Sequence, residues 1–435
     1  MSEKGKTLSR RQFAMAGALA AAPMIVPSHV LGQRAGFVAP SDKIAFGGIG
    51  IGSRGTSSVR AILSYRDAQF VAVADVRNDR REAIKSMADQ RYQNNDCKMY
   101  SSHEELLDRD DIDGVLIATG DRWHTPMSIL AAKAGKHIYC EKPCSMTIEE
   151  SQALADAVDR YGVLYQAGCQ RRNGKNFMIA MNWAREGKLG KLTTLHCNAG
   201  TGTSWPPLTT HDWLPAEKEP AKEVVDWDRW LGPSPWRPYN PAYVQGRWRG
   251  YFDFHGGGIL EWGSHTADLC QYANDSDHTQ PIEYEPMGGN TTPYFVHCKY
   301  ENGVKLIHRD AYWLGMGTCS VRFEGDNGWI ETGDTGKIMV SENLQKELPP
   351  AEEGNAFNLT LHYHWRDFIE CIKTRSQPKS NARSAANTHI GCHAAYIAYQ
   401  LGRKLTWNPA KQEFVNDPEA NRMRSREMRA PWKLV

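Results

Sequence analysis

The sequence predicts a doubly wound α/β domain with a parallel sheet, followed by an α+β domain built on a large, mainly antiparallel open sheet. Three observations predict it. From Lys43 onward, short apolar runs of strand length alternate with helical patterns at the spacing of βαβ units. The first run ends in a glycine-rich turn, Gly50-Ile51-Gly52-Ser53-Arg54-Gly55. After about residue 170 the strand-like segments lengthen and no longer alternate with helices.

Taken in order, residues 1–32 read as an export signal. Ser9-Arg10-Arg11-Gln12-Phe13 precedes an alanine-rich run from Ala14 to Ala22, with Lys4 and Lys6 upstream. This is the twin-arginine (Tat) pattern, a basic segment before a short, mildly apolar one, and it predicts a periplasmic protein. The run is too short to span a bilayer, so no membrane partner is expected in the mature form. Residues 33–42 form an irregular arm.

Residues 43–170 form the first domain. Its strands are expected at Ile44–Ile49, Gln69–Ala74, Gly114–Ala118, His137–Cys140 and Val163–Gln166. Residues 171–408 form the second. A helix is expected at Phe177–Arg185, and strands at Leu192–Cys197, Tyr294–Tyr300, Val304–Ile307 and Cys319–Phe323. Helices at Leu361–Lys373 and Ala385–Leu401 complete it, and residues 409–435 read as a charged, irregular tail.

The net charge of +2 and the lack of a basic block argue against a nucleic-acid partner. The ten cysteines are scattered, without the spacing of a zinc ribbon or a disulfide framework. His389 and His393 stand one helical turn apart, but a third ligand at matching spacing is missing, so no metal is expected.

The glycine turn carries chemistry because of its setting. It follows a strand and opens a helix, and Asp75 stands twenty residues past Gly55, at the end of the next strand. That is the Rossmann dinucleotide fingerprint. Gly50 permits the tight turn, Gly52 lets the backbone approach a pyrophosphate, and Gly55 allows close helix–strand packing. Ser53 and Arg54 open the helix, whose free N–H groups face phosphate. Asp75 would accept hydrogen bonds from the adenosine ribose and repel a 2′-phosphate. This favours NAD, although Arg54 and Arg77 would tolerate NADP.

Three further segments carry a resemblance. They are Thr119-Gly120-Asp121-Arg122-Trp123-His124, then Glu141-Lys142-Pro143, and Gly256-Gly-Gly-Ile-Leu-Glu261-Trp262-Gly-Ser-His265-Thr-Ala-Asp268. With the glycine turn, they resemble the Gfo/Idh/MocA oxidoreductase family, which includes glucose–fructose oxidoreductase and inositol dehydrogenase. The resemblance implies that Lys142 lies beside the nicotinamide and contacts the reacting hydroxyl, with a cis peptide before Pro143. It implies that Glu141, Thr119 and His124 line the cofactor. His265 matches the family's histidine, while Glu261 replaces the family's aspartate and Gly120 its proline. Glu261 and His265, spaced i, i+4, are expected to share a helical face, with Glu261 orienting the imidazole. His265 suits the base and Lys142 the donor to the oxygen, and the two could exchange roles. Arg171 and Arg172, at the end of the first domain, and Trp262 and Asp268, beside the pair, are the expected substrate ligands.

The resemblance implies oxidation of a CH–OH in a sugar, glycoside or polyol. One alternative is a glycosidase or lyase that uses NAD catalytically through oxidation, elimination and re-reduction. The other is a non-catalytic NAD-binding sensor, against which Lys142 and His265 argue. Export of a folded protein to a compartment poor in free NAD predicts a tightly bound cofactor recycled on the protein. Seven tryptophans between residues 200 and 265 suit either sugar stacking or packing. The open sheet of the second domain predicts a homodimer or homotetramer.

Overall fold

The computed structural model describes residues 39, 42–198, 210–287, 295–309, 314–349 and 356–434, with side chains in the helix from Ala356 described from residue 360. The export motif, nearly all of the arm, and Trp205 lie outside the described residues. The chain divides into units Met1–Lys43 and Ile44–Val435. In the first, the Asp42 N–H donates to the Ala39 carbonyl at 2.9 Å. The rest concerns the second.

Six parallel strands form the first sheet: β1 (Ile44–Ile49), β2 (Ala68–Ala74), β3 (Lys98–Tyr100), β4 (Gly114–Ile117), β5 (His137–Cys140) and β6 (Tyr165–Ala167). β4 and β5 are buried along their whole length, which is why they read as unbroken apolar runs. β3 was not legible, because its three residues are partly exposed and carry no apolar run. The order is β3-β2-β1-β4-β5-β6. It reverses between β1 and β4, and a crevice opens beyond the carboxyl ends of strands at such a switch point.

The second sheet has nine strands in the order β13-β12-β11-β7-β10-β9-β8-β14-β15. They are β7 (Leu192–Asn198), β8 (Glu283–Met287), β9 (Phe295–Lys299), β10 (Lys305–Arg309), β11 (Val321–Gly325), β12 (Gly328–Thr332), β13 (Ile338–Val340), β14 (Leu405–Asn408) and β15 (Glu413–Phe414). β7 and β10 pair in parallel and the other pairs are antiparallel. One face packs Leu195, Phe323, Ile330 and Val296 against Leu269 and Ile390 of the helices Gly263–Ala273 and Ala382–Leu401. The helix Ala382–Leu401 is buried nearly all round, since it also packs on Ile148–Tyr161 beside the first sheet.

Three expectations change. The tail is not irregular throughout. β15 pairs with β14, and Asp417 caps a helix at Pro418–Arg422. Farther on, the Trp432 ring rests 4.7 Å from Trp123, so the tail returns to the first domain. Arg172 and Asp268 are not placed as substrate ligands either. They lie outside the cavity described below, 1% exposed, and pair with each other at 2.6 Å. Arg172 also donates to Asp277 at 2.7 Å and to the Lys379 carbonyl at 2.9 Å. Buried charges persist where pairing is this complete, and sequence position alone did not reveal the partners.

All ten cysteines are free and buried. His389 is engaged on both ring nitrogens, with the Cys144 N–H at 3.0 Å and the Ala385 carbonyl at 2.7 Å.

Removing one partner of the buried Arg172 pair should be costly. Asp268→Ala is expected to lower unfolding stability by about 3–5 kcal/mol in chemical denaturation. Cofactor affinity of the folded fraction should not change. A loss of affinity without a loss of stability would return Asp268 to the site.

Candidate active site

A cavity of about 440 Å³ opens at the switch point between β1 and β4. The glycine turn forms its floor. Gly50 has φ +69°, and a Cβ there would meet the Thr119 side chain at 2.2 Å. A Cβ on Gly52 would meet nothing within 4 Å, so that backbone faces open space. A Cβ on Gly55 would meet Ala118 at 2.8 Å, which is the close helix–strand approach the motif requires. The helix Ser53–Ser64 begins without a side-chain cap and without an acid in its first turn. Its N–H groups are therefore available to a pyrophosphate. These features fit a dinucleotide.

Asp75 lines the far end with Arg77 and Arg80, and its Oδ1 accepts the Arg77 N–H at 2.9 Å. Burial lifts its pKa to about 6, against the pull of the neighbouring arginines. Arg54 turns the other way, donating to Gln170 at 2.8 Å and lying 3.4 Å from Glu141.

At the opposite end stands Lys142, before a cis bond to Pro143. Its Nζ lies 2.9 Å from Glu261 Oε1 and donates to the Glu261 carbonyl at 2.8 Å. The Trp262 ring sits 5.4 Å from the same ammonium. His124 lines the cavity, but its ring bridges the carbonyls of Pro143 (2.6 Å) and Thr119 (3.2 Å). It thereby ties the loop after β4 to the loop after β5.

The expected pairing of Glu261 with His265 does not form. The helix is interrupted at Trp262 into Gly258–Glu261 and Gly263–Ala273. The Glu261 carboxylate turns to the Lys142 ammonium and to His255 Nε2, at 3.2 Å. Burial alone would raise the Glu261 pKa. The Lys142 charge, with His255 and Arg249, reverses this and holds it well below the usual carboxylate range. His265 instead meets Arg171 Nη1 at 3.0 Å, and Arg171 is fixed by Asp334 at 2.7 and 3.1 Å. Burial and the Arg171 cation hold the His265 pKa well below the ordinary imidazole value.

The site thus gathers all ten expected cofactor-binding residues except Gly55 into the cavity lining, together with Glu261, His265, Trp262 and Arg171. Sequence reasoning missed His255, Asp121, Arg249 and Asp334. His255 stands before the glycine run and Asp121 follows the substituted Gly120, and either could have been flagged there. Asp334 carries no local signal.

Of the six described tryptophans between residues 200 and 265, Trp227 is buried in packing, Trp213 and Trp236 are exposed, and three line the cavity. Trp227 stacks on Trp230 at 4.7 Å in a small core with Leu231, Tyr243 and Phe254. This insert docks on the loop after β2, with Arg77 donating to the Val244 carbonyl at 2.7 Å and the Asp226 N–H to the Val76 carbonyl at 3.1 Å. Trp230, Trp248 and Trp262 reach the cavity.

The switch-point cradle, the acidic residue at the end of β2 and the lysine beside the cavity define a nicotinamide-cofactor oxidoreductase. Family models agree. The NAD-binding Rossmann fold of the Gfo/Idh/MocA oxidoreductase family matches residues 44–169, and the family's C-terminal alpha/beta domain matches residues 180–434. The chain belongs to the Gfo/Idh/MocA oxidoreductase family.

A curated relative, the alpha-N-acetylgalactosaminidase of Shewanella oneidensis, is 29% identical over 213 residues, 42% of this chain and 44% of that protein. The chain thus matches less than half the length of the curated relatives it resembles. Two solved structures share the fold. The WlbA dehydrogenase of Bordetella pertussis, in complex with NADH and UDP-GlcNAcA, superposes with a TM-score of 0.61 at 18% identity, over 84% of this chain and 99% of that one. The aldose-aldose oxidoreductase of Caulobacter crescentus gives 0.59 at 19% identity, with the same coverage.

The Asp75 titration gives a testable pH dependence. Hydroxyl donors favour the ionised carboxylate, which predominates above pH 6 in the free protein. Cofactor affinity is therefore expected to fall roughly tenfold as pH drops from 7 to 5. Asp75→Ala should flatten that dependence in titration calorimetry. A flat wild-type profile would show that Asp75 does not meet the ribose.

Proposed function

We propose that this protein is a Tat-exported, periplasmic NAD-dependent oxidoreductase that acts on a CH–OH of a sugar, glycoside or polyol and keeps its cofactor bound. The observation that carries the reading is the buried Lys142–Glu261 pair at one end of a dinucleotide cavity. Bound there, the nicotinamide supplies the hydride chemistry. Lys142, paired with Glu261, donates to the substrate oxygen as negative charge develops on it. Arg171 and Trp262 stand beside it as substrate ligands. The two structural neighbours bind or act on sugars or sugar derivatives by their names, which supports the substrate class.

Asp75 supports NAD over NADP, as does Arg54, which turns to Gln170 and Glu141 and away from the 2′-phosphate position. The insert docked on the loop after β2 supports tight retention. Ser9–Phe13 supports export. The open sheet of the second domain is expected to bury its outer face against a second subunit, as a dimer or tetramer.

A retained cofactor must be recycled in place. Coupled oxidation and reduction of two sugars does this. Oxidation, elimination and re-reduction also does it, and cleaves a glycosidic bond with no net NADH. The galactosaminidase relative favours keeping the second route in view.

Two measurements on the purified protein test the reading. Denaturation is expected to release close to one equivalent of NAD(H) per chain. A panel of myo-inositol, aldoses, N-acetylgalactosamine and p-nitrophenyl glycosides, read for both NADH and released nitrophenol, should show turnover. Nitrophenol without NADH would select the glycosidase route. An empty protein with weak, freely exchanging NAD would overturn cofactor retention.

A further inference from the structure

Several buried side-chain atoms without a hydrogen-bond partner belong to residues that line the cavity. Thr119 Oγ1, Asp121 Oδ2, Arg122 Nη1, Trp262 Nε1 and His265 Nδ1 are all buried, unpaired atoms of residues that line it. Folded proteins rarely leave such atoms unpaired, and a set converging on one cavity is the complement of a ligand. Their chemistry is unequal. Trp262 Nε1 and Arg122 Nη1 only donate, and an ionised Asp121 oxygen only accepts.

The other nitrogen of His265 fixes the character of Nδ1. Nε2 lies 3.0 Å from Arg171 Nη1, which only donates, so Nε2 accepts. The ring is neutral in this setting, and its one proton therefore sits on Nδ1. Such a histidine offers a donor to the cavity, not a lone pair. Lys142 is likewise a donor, held by the Glu261 carboxylate and carbonyl. Among the described residues at this end, Asp121 Oδ2 is the carboxylate oxygen left open, and it lies within 4.8 Å of the Glu261 group that holds Lys142.

We infer that Asp121 accepts the proton of the reacting hydroxyl, and that His265 donates through Nδ1 to a substrate oxygen. The inference rests on the oxidoreductase reading above. In the step, the C–H bond breaks, and oxidised nicotinamide, when bound, would supply the acceptor for its hydride. The O–H bond breaks and its proton passes to Asp121 Oδ2. The C=O bond forms while Lys142 stabilises the oxygen. Asp121 then returns the proton to solvent, or to the substrate on re-reduction.

Asp121 Oδ2, His255 Nε2 and the Glu261 carboxylate could also be read as three ligands of a divalent cation. Two features oppose that. Lys142 at 2.9 Å and Arg249 at 3.9 Å already place positive charge on Glu261. His255 Nδ1 accepts the N–H groups of Gly257 (3.2 Å) and Gly250 (3.4 Å), which leaves the ring proton on Nε2, the atom a metal would need. That proton points at Glu261 at 3.2 Å and leaves Asp121 Oδ2, 4.0 Å away, for the substrate.

The test uses the holoenzyme and the best substrate of the panel. Asp121→Asn is expected to lower kcat by on the order of 10²–10⁴ with cofactor content unchanged. His265→Asn, which keeps an N–H near the Nδ1 position, should lower kcat less than tenfold and act mainly on KM. Nitrogen-15 NMR of the wild-type holoenzyme should show His265 protonated on Nδ1 and bare on Nε2 at pH 7. Near-normal kcat in Asp121→Asn, or a His265 proton on Nε2, would overturn the assignment. So would one equivalent of zinc or manganese in the purified protein that disappears in Asp121→Asn. If wild-type protein turns over no panel member, the oxidoreductase reading is what fails, and the NMR result still decides the tautomer.

Discussion

The ion pair between Lys142 and Glu261 is the constraint on which the rest of the site depends. Two charged groups, each about a tenth exposed, sit 2.9 Å apart at the meeting of the two sheets. Each would be costly to bury alone. Together they fix the loop after β5 against the short helix Gly258–Glu261, and the cavity takes its shape from that junction. Lys142 faces one Glu261 oxygen and His255 the other, while the His265 ring turns to Arg171. The histidine is left to Arg171, whose own position is set by Asp334. One electrostatic preference thus redistributes roles over six side chains.

The parallel sheet, the glycine cradle and most residues that line the cavity were legible because each depends on local signals. Buried parallel strands read as apolar runs, and a switch-point turn reads as glycines at fixed spacing. Lys142 was legible through the motif around it. What could not be read were partners distant in sequence. Arg172 and Asp268 looked like cleft residues by position, yet they neutralise each other in the core. The expected face shared by Glu261 and His265 presumed an unbroken helix, and the interruption at Trp262 together with the charge on Lys142 removed it. Asp334 and β3 carry no pattern that marks them. The tryptophans were legible as a cluster, but which of them pack and which face the cavity was not, since stacking on sugar and stacking on each other require the same residues.

The insert stands beside the Asp75 end of the cavity. Its core of Trp227, Leu231, Tyr243 and Phe254 is separate from the main cores, and its links to the first domain run through Arg77, Val76 and Asn78 beside Asp75. The tail reinforces the same region, since Arg429 donates to the Gly232 carbonyl at 3.1 Å while Trp432 packs on Trp123. The Asp75 end of the cavity is therefore held by three separate stretches of chain. Its Lys142 end, by contrast, is lined by groups whose hydrogen-bonding capacity is unfilled, as a substrate site requires.

The proposed function requires that Lys142 serve the reacting oxygen and not the cofactor's attachment. Substituting Lys142→Ala and measuring both quantities on one preparation tests it most directly. The account predicts cofactor content and affinity within a few-fold of wild type, with turnover reduced by on the order of 10²–10⁴. Loss of the cofactor, or turnover close to wild type in Lys142→Ala, would contradict it.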